Sequence, residues 1–455
     1  MVFKTSMSLL LLAGCGLCFA FQDLRSATPL VIDGSDLAAL QGAPIDELRL
    51  YRLQGNLWSP VLFQMDERNP DGSFFLPDDQ VLDANDQLAL QPQDAGELAS
   101  TLQWPDDAEA QSHARIEIQI EDPVESAFRY VYLFRSSTLP FSSAPNYVTY
   151  DSVSDTLTGI TYQVGFDSTG AVLSDLRTRE GGTFSPDLLD REKLRISGSA
   201  IITTFSLDED DLTVLGVQGV VGPIRLLRRV DAEVSLLGNT LPLALERHFY
   251  GRFFEIPSAS GNVELPFGVS LTNIRISRDF NAMASGATLR DPNNSNLAIE
   301  GMPDPGVVTA ITLSQQNAYW QEVSIDSFSM WNLMAFQGLA GNSLFYYRDN
   351  SAGGTADGTA DTGDLISFGD HGVWFQNPDA NAIQFSFGTQ IEQNSQLTPS
   401  KAEAYIQTPF SLEISTASFT NQFWNFIALW GSDQPSAPVV PFLITFINNF
   451  GVPPL

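Results

Sequence analysis

The chain has 455 residues, and its 43% hydrophobic and 17% charged content is that of a folded globular protein, not a disordered one. Its formal charge of −31, from 54 acidic and 23 basic residues, opposes binding to nucleic acid or to an anionic membrane. Its 31 Phe, 34 Gly and 26 Pro favour strands and turns over helices. We therefore expect an acidic, all-β protein.

The first twenty residues predict export as a signal peptide. Lys4 precedes an apolar run over residues 7–20, which is too short for a structural membrane span. The tetrapeptide that ends at Cys15 resembles the lipobox of bacterial lipoproteins, whereas cleavage after Ala20 also fits and would remove both cysteines. Both alternatives stay open, with a lipid at Cys15 as the predicted route to a membrane. The expected location is the periplasm, the outer membrane surface or the medium.

Residues 28–140 predict an N-terminal β domain. Alternating or continuously apolar runs predict its strands at Pro29–Asp33, Glu47–Leu53, Arg115–Ile120 and Phe128–Phe134. The Pro- and Ser-rich stretch Ser136–Pro145 interrupts this pattern and predicts a domain boundary.

Residues 146–455 predict a large antiparallel β-sandwich, because strand-like runs recur there between Gly, Pro and Asn turns. A short helix is expected at Pro186–Lys193, with Ser185 as its cap. The low-complexity stretch Ser351–Gly363 predicts a mobile surface loop. The apolar tail Val439–Phe450 predicts a terminal strand. The expected fold is thus two β-sandwich-like domains, the C-terminal one large.

One loop has the spacing of a calcium site. Glu67, Asn69, Asp71 and Asp78 occupy the first, third, fifth and twelfth positions of a segment with Gly72 at its sixth. Calcium loops use this spacing because the cation needs several oxygens around one turn. A plain Asn-Pro-Asp-Gly turn explains much of the same sequence, so a structural calcium and a bare turn both remain open.

The same region resembles a family of exported bacterial β-rich proteins. The run Ser59–Arg68 carries a Gln-x-Asp-Glu strand end, and Leu82–Leu88 carries an Asn-Asp-x-Leu strand start with Gln87 where the family usually has Glu. The resemblance covers residues 47–96 and, more loosely, Val221–Arg229. It implies an extracytoplasmic β domain and transfers no catalytic residue.

A second motif carries four ionisable groups. On a strand, Glu246, His248, Tyr250 and Arg252 would project from one face. Polysaccharide lyases need such groups, since Arg neutralises a uronate carboxylate while Tyr or His moves the protons. A solvent-facing strand with Glu–Arg pairing has the same residue pattern, so a purely structural role of this motif stays open.

Aromatic residues in the C-terminal half favour sugars, because flat rings pack against the apolar face of a pyranose. Trp320, Trp331, Trp424 and Trp430 are expected mostly in the core, whereas Trp374 is the predicted ligand contact because its neighbours read as a loop. The leading hypothesis is a non-catalytic protein that binds a glycan or another cell-surface component. The alternatives are a lyase acting on uronic-acid polysaccharide and a structural envelope protein.

Overall fold

The computed structural model describes residues 28–69, 73–74, 79–200, 203–236, 239–261, 268–337, 342–378 and 383–419. The predicted signal peptide with Cys15 and the predicted terminal strand at Val439–Phe450 lie outside these residues. The expected all-β class is confirmed, since the described residues are about 53% strand and 10% helix and their sheets are antiparallel and sandwich-like.

The strands are numbered in chain order. The first seven are β1 (Leu30–Asp33), β2 (Leu48–Gln54), β3 (Leu57–Pro60), β4 (Phe63–Asp66), β5 (Gln87–Leu90), β6 (Ala114–Asp122) and β7 (Ala127–Arg135). The others are β8 (Thr149–Asp151), β9 (Thr156–Thr158), β10 (Tyr162–Phe166), β11 (Leu173–Glu180), β12 (Thr183–Phe184), β13 (Leu189–Ala200), β14 (Thr203–Asp208), β15 (Leu212–Val221), β16 (Arg225–Leu236), β17 (Asn239–Tyr250), β18 (Phe253–Gly261), β19 (Val269–Phe280), β20 (Thr288–Arg290), β21 (Leu297–Ala298), β22 (Tyr319–Ile325), β23 (Phe328–Gln337), β24 (Asn342–Asn350), β25 (Ser367–Gln376), β26 (Ile383–Gln393) and β27 (Ser411–Ser418).

Helices are short. The described α-helices are α1 (Ala108–Ser112) and α2 (Pro399–Gln407), and the 3₁₀ turns are Gly34–Leu40, Ile45–Glu47, Pro92–Asp94, Glu209–Asp211, Ala282–Ala284 and Gln315–Asn317. Within the described residues, none of the helices has the length and apolarity needed to cross a bilayer.

In the predicted N-terminal domain, two sheets pack around one core. Their strand orders are β1-β5-β4 and β27-β6-β7-β2-β3. Strand β6 shows why these residues form a sandwich: Ile116, Ile118 and Ile120 alternate with polar residues and are fully buried in the core. Strand β27 lies in the predicted C-terminal range 146–455, yet it pairs with β6 from Ser411 opposite Glu121. The end of the described chain therefore returns to the first domain.

The C-terminal domain is larger. A nine-stranded sheet has the order β15-β16-β17-β18-β26-β23-β22-β20-β21, and two five-stranded sheets have the orders β14-β13-β19-β25-β24 and β12-β11-β10-β9-β8. One apolar cluster connects these sheets, with Phe249, Tyr319, Phe345 and Val373 among its buried members. Burial of such large side chains is the main source of stability in a domain without disulfides.

Two local expectations were wrong. The segment Pro186–Lys193, which was expected to be a helix, is extended chain before β13 and, from Leu189, the start of β13, in which Lys193 pairs opposite Ser277 of β19. Pairing along this long strand outweighs the local Ser-Pro capping signal, because helix-start signals are weak compared with tertiary packing. The loop expected around Trp374 is strand β25, in which Trp374 pairs opposite Arg275.

Candidate functional site at the domain interface

Strand β17 brings three of the four predicted ionisable residues together. The His248 Nε2 and Glu246 Oε1 atoms are 2.8 Å apart. Glu255, on the neighbouring strand β18, lies 3.4 Å from His248 Nδ1 through its Oε1 atom and accepts a 3.4 Å hydrogen bond from the Tyr250 hydroxyl. Arg252 is not part of this group, because β17 ends at Tyr250 and the Arg252 guanidinium pairs with Glu392 at 3.3 Å.

The protonation states of this cluster suit charge pairing. Burial opposes a charge on His248, but its hydrogen bonds to Glu246 and Glu255 raise the pKa of His248 above the ordinary value. Burial also raises the pKa of Tyr250, whose side chain is almost fully enclosed. Both shifts favour the protonated form of the group, and a protonated imidazole or phenol is a poor base for a C5 proton. The contacts of this cluster are those of an ion-pair network.

Arg225 extends the network into the N-terminal domain. Its Nε donates to Asp66 Oδ2 at 2.7 Å, its Nη2 donates to Gln87 Oε1 at 2.9 Å and its Nη1 donates to the Tyr250 hydroxyl at 3.3 Å. The Gln64 Oε1 atom accepts the backbone N–H of Arg225 at 2.9 Å. Both charged side chains of the Asp66–Arg225 pair are 1% exposed.

We call this set of contacts the interdomain clasp. Tyr250 comes from β17, and the other members come from the segments quoted for the resemblance, namely Ser59–Arg68, Leu82–Leu88 and Val221–Arg229. Apolar contacts support it, and the cluster around the clasp consists of Ala89, Ile224 and Tyr250 with Val31, Leu62, Tyr147 and Phe253. Side chains from these segments thus bond to one another across the boundary predicted at Ser136–Pro145.

A cleft of about 460 Å³ adjoins the clasp. The N-terminal domain and the following linker form most of its wall, and residues 220–223 of the C-terminal domain form the rest. We call it the interdomain cleft; its lining is Ile45, Asp46, Val61, Leu62, Phe63, Gln64, Met65, Asp66, Glu67, Gln80, Phe141, Ser142, Val220, Val221, Gly222 and Pro223. Ligand sites are common at domain interfaces and combine apolar walls with a few polar groups.

Phe141 forms an exposed aromatic wall of this cleft. Its side chain is 55% exposed, and the Arg49 guanidinium lies 3.6 Å from its ring centroid. Arg49 is itself fixed, because its Nε donates to the Leu139 carbonyl and its Nη1 to the Asp46 carbonyl, each at 2.6 Å. A ring held by a buried guanidinium keeps its orientation, and its exposed surface is available to a flat apolar ligand.

The polar side chains of the cleft wall fall into two groups. Gln64 and Asp66 are buried and already bonded to Arg225. Asp46 and Gln80 are exposed, and Glu67 is half-buried. The described residues that line the cleft include no lysine or arginine. The carboxylates of Asp46 and Glu67 therefore offer acceptors to hydroxyl groups and repel other carboxylates.

The predicted calcium loop lies partly in this region. Asn69 makes a turn in which its N–H donates to the Ser73 carbonyl at 2.9 Å, and its side-chain amide lies 3.4 Å from the same oxygen. Glu67 is on the cleft wall, whereas Asp71 and Asp78 lie outside the described residues. The described half of the loop therefore has turn geometry, and calcium binding stays a prediction.

The aromatic predictions have mixed outcomes. Trp320 and Trp331 are buried, 3% and 0% exposed, as expected of core residues. Trp374 is half-buried on β25, and its Nε1 donates to Asn273 Oδ1 at 2.9 Å. Trp424 and Trp430 lie outside the described residues. Trp374 is not among the described residues that line the interdomain cleft.

An acidic triad lies elsewhere, on β13, β19 and the loop before β25. Asp190, Asp279 and Asp364 each place a carboxylate oxygen within 4.8 Å of the others. The buried Lys193 ammonium already pairs with Asp279 and with Asp361. This loop was expected to be a mobile surface segment, yet Asp357 and Asp361 attach it to buried cations, Arg275 and Lys193. Of the triad, Asp279 is thus already paired with a lysine.

Phe141 and Arg225 were not predicted as site residues. Phe141 lies in the Pro- and Ser-rich stretch that predicted only a boundary, and Arg225 meets its partner Asp66 across 159 positions of sequence. The predicted boundary at Ser136–Pro145 is the sequence feature that could have indicated the cleft, because ligand sites are common where two domains meet.

No protein-family model matches the chain, and no curated protein matches it in sequence. Among solved structures, the chain is similar to an alpha-mannosidase from Enterococcus faecalis, with a TM-score of 0.37 and 10% sequence identity over 83% of this chain. The chain spans about half the length of that enzyme, 47% of it. We base no functional conclusion on a likeness of this size.

Proposed function

We propose that the protein is exported and binds a neutral oligosaccharide in the interdomain cleft, without catalysing a reaction. The observation that carries this proposal is Phe141, an exposed ring held by Arg49 in a cleft whose lining also includes Asp46, Glu67 and Gln80. A pyranose offers a complementary surface, since its C–H groups form an apolar face and its hydroxyl groups form a polar rim.

The charge of the cleft selects among sugars. Asp46 and Glu67 line it without a basic residue in the described lining, and the whole chain carries a formal charge of −31. A uronate carboxylate would meet repulsion and would find no cationic partner among the described lining residues. A neutral glycan is therefore the expected ligand, and this choice differs from the uronic-acid polysaccharide of the lyase hypothesis.

Calorimetric titration tests the proposal with neutral β-1,4 and α-linked hexose oligosaccharides and an oligouronate of equal length. Phe141→Ala should weaken binding of the neutral ligand by about tenfold, because one stacked aromatic contact contributes about 1.4 kcal/mol to the binding free energy. Phe128→Ala is the matched control, since Phe128 is 49% exposed on β7 and does not line the cleft. Equal affinities of the Phe141→Ala variant and the wild type would contradict the proposal.

We also propose a structural calcium at the loop of Glu67, Asn69, Asp71 and Asp78. Its support is the ligand spacing, together with the position of Glu67 beside the clasp residue Asp66. A ligand bound only by the folded protein stabilises it by mass action, so a chelator should lower the melting temperature. Asp71→Ala should remove that shift, and a wild-type protein without any shift would exclude the calcium.

Export is proposed on the signal peptide alone. Mass spectrometry of the mature N-terminus distinguishes the two processing routes: an acylated Cys15 or an N-terminal Phe21. Retention of the intact first residues would contradict both.

A further inference from the structure

A second cleft lies in the C-terminal domain and has a volume of about 610 Å³. The β11–β12 hairpin forms one side, and the turn between β22 and β23 forms another. We call it the hairpin cleft. It shares no lining residue with the interdomain cleft.

The walls of the hairpin cleft combine an exposed ring with polar groups. Phe184 is 38% exposed, and the Arg179 guanidinium lies 5.6 Å from its ring centroid. Glu180, Thr183 and Asp326 are exposed residues of the same lining. The hairpin cleft thus resembles the interdomain cleft, because each has a phenylalanine ring in contact with an arginine and has carboxylates among its lining residues.

The floor of the hairpin cleft differs from that of the interdomain cleft. Four of its residues, Thr178, Leu188, Ile325 and Phe328, also line a small pit with room of about 20 Å³. The surface of the pit is apolar, and its other lining residues are Leu176, Phe280, Ala284, Ala287, Val323, Met330 and Ile391.

A pit of this size suits one small apolar group. About 10–15 Å³ is enough for a water molecule, but a water needs two to four polar partners, and apolar cavities stay dry. A methyl group has a similar size and needs no partner. Its transfer from water into the pit is favourable by the hydrophobic effect.

We propose that the hairpin cleft binds a hydroxyl-rich ligand that carries a methyl or acetyl group, such as an oligosaccharide of N-acetylated hexosamine. The sugar ring packs on Phe184, its hydroxyl groups donate to Glu180 and Asp326, and the acetyl methyl enters the pit between Leu188 and Ala287. This site is separate from the interdomain cleft, so each proposal can fail without the other.

The test compares chitohexaose with cellohexaose, which share a β-1,4 backbone and differ at the acetamido group. Titrations use the mature full chain with Phe141→Ala, which should weaken binding in the interdomain cleft by about tenfold. Chitohexaose should bind at least about fourfold more tightly than cellohexaose, the ratio that one buried methyl supplies. Saturation-transfer NMR should show the strongest transfer at the acetyl methyl.

Two further variants locate the binding. Phe184→Ala should weaken chitohexaose binding by about tenfold. Ala287→Val fills the pit and should abolish the preference for the acetylated ligand; its melting temperature reports whether the core tolerates the added volume. Equal affinity for both oligosaccharides, or chitohexaose binding that Phe184→Ala leaves unchanged, would overturn the proposal whatever the behaviour of Ala287→Val.

If the wild type binds chitohexaose but not cellohexaose, the interdomain site is excluded for this β-1,4 glycan and the hairpin cleft is supported. If the wild type binds cellohexaose but not chitohexaose, only the proposal for the hairpin cleft is overturned.

Discussion

The Asp66–Arg225 pair is the most direct test of the interdomain clasp. Both side chains are 1% exposed, and the two residues belong to different domains. Asp66→Asn keeps the size of the side chain but leaves the buried guanidinium without its counter-ion. Removing one partner of a buried pair costs about 3–5 kcal/mol, because the remaining charge stays out of water. We expect a loss of unfolding free energy in this range.

The matched control is Asp175→Asn. Asp175 pairs with Arg177 at 2.8 Å, a similar distance, but the two side chains are 26% and 35% exposed. Exposed pairs contribute about 1 kcal/mol or less, so this variant should change stability little. The difference between the two Asn variants isolates the effect of burial.

The assay is urea unfolding followed by tryptophan fluorescence and circular dichroism. Two probes are needed because a two-domain chain need not unfold in one transition. The double variant Asp66→Asn/Arg225→Gln removes both charges and should recover about 1–3 kcal/mol relative to the sum of the single variants. Additive single effects, or a cost for Asp66→Asn no larger than that for Asp175→Asn, would refute the role of the clasp.

Three further predictions concern the same network and the acidic triad. Gly222→Ala should destabilise the protein by about 1–3 kcal/mol in urea unfolding, because the new Cβ would overlap the Gln64 amide that accepts the Arg225 N–H, whereas Gly216→Ala has open space and should be near neutral. His248→Gln should lower the melting temperature more at about pH 5.5 than at about pH 9. The raised pKa of His248 means that its protonated form stabilises the fold fully below the ordinary pKa, and this stability disappears as the histidine of the folded protein loses its proton. An equal loss at both pH values would contradict a stabilising role of the protonated imidazole. Burial and the neighbouring Asp364 raise the pKa of Asp190 to about 6, so its ionisation destabilises the fold at higher pH, and Asp190→Asn should raise the melting temperature at about pH 8 and change it little near pH 3; a lower melting temperature at pH 8 would show that the charge is needed.

The sequence was a good guide where a local period decides the structure. The strand at Arg115–Ile120 was predictable because its isoleucines alternate with polar residues, and they are buried in β6. The segment Pro186–Lys193 was misread because its Ser-Pro start is a local signal, whereas its strand state depends on β19, more than seventy residues away along the chain.

The candidate sites were less predictable for a related reason. Glu246, His248 and Tyr250 were correctly placed together by strand alternation, but their partner Glu255 is on the next strand and Arg252 lies past the end of β17. Alternation specifies a face and does not specify what packs against it. Phe141 gave no periodic signal at all, because it becomes a site residue only when Arg49 and the second domain are in place.

The distribution of the cations connects the fold to the proposed ligands. At least nine of the 23 basic residues are buried, and these are Arg49, Arg115, Lys193, Arg195, Arg225, Arg228, Arg247, Arg275 and Arg278. Arg49 donates to backbone carbonyls, and the others pair with carboxylates of the protein itself. The described linings of both clefts contain acidic side chains without basic ones. Salt screens the long-range field of the remaining acids over about 8 Å at physiological strength, but it supplies no cationic partner inside a cleft. Neutral hydroxyl-rich ligands need no such partner, and this is the physical reason that both proposals name them.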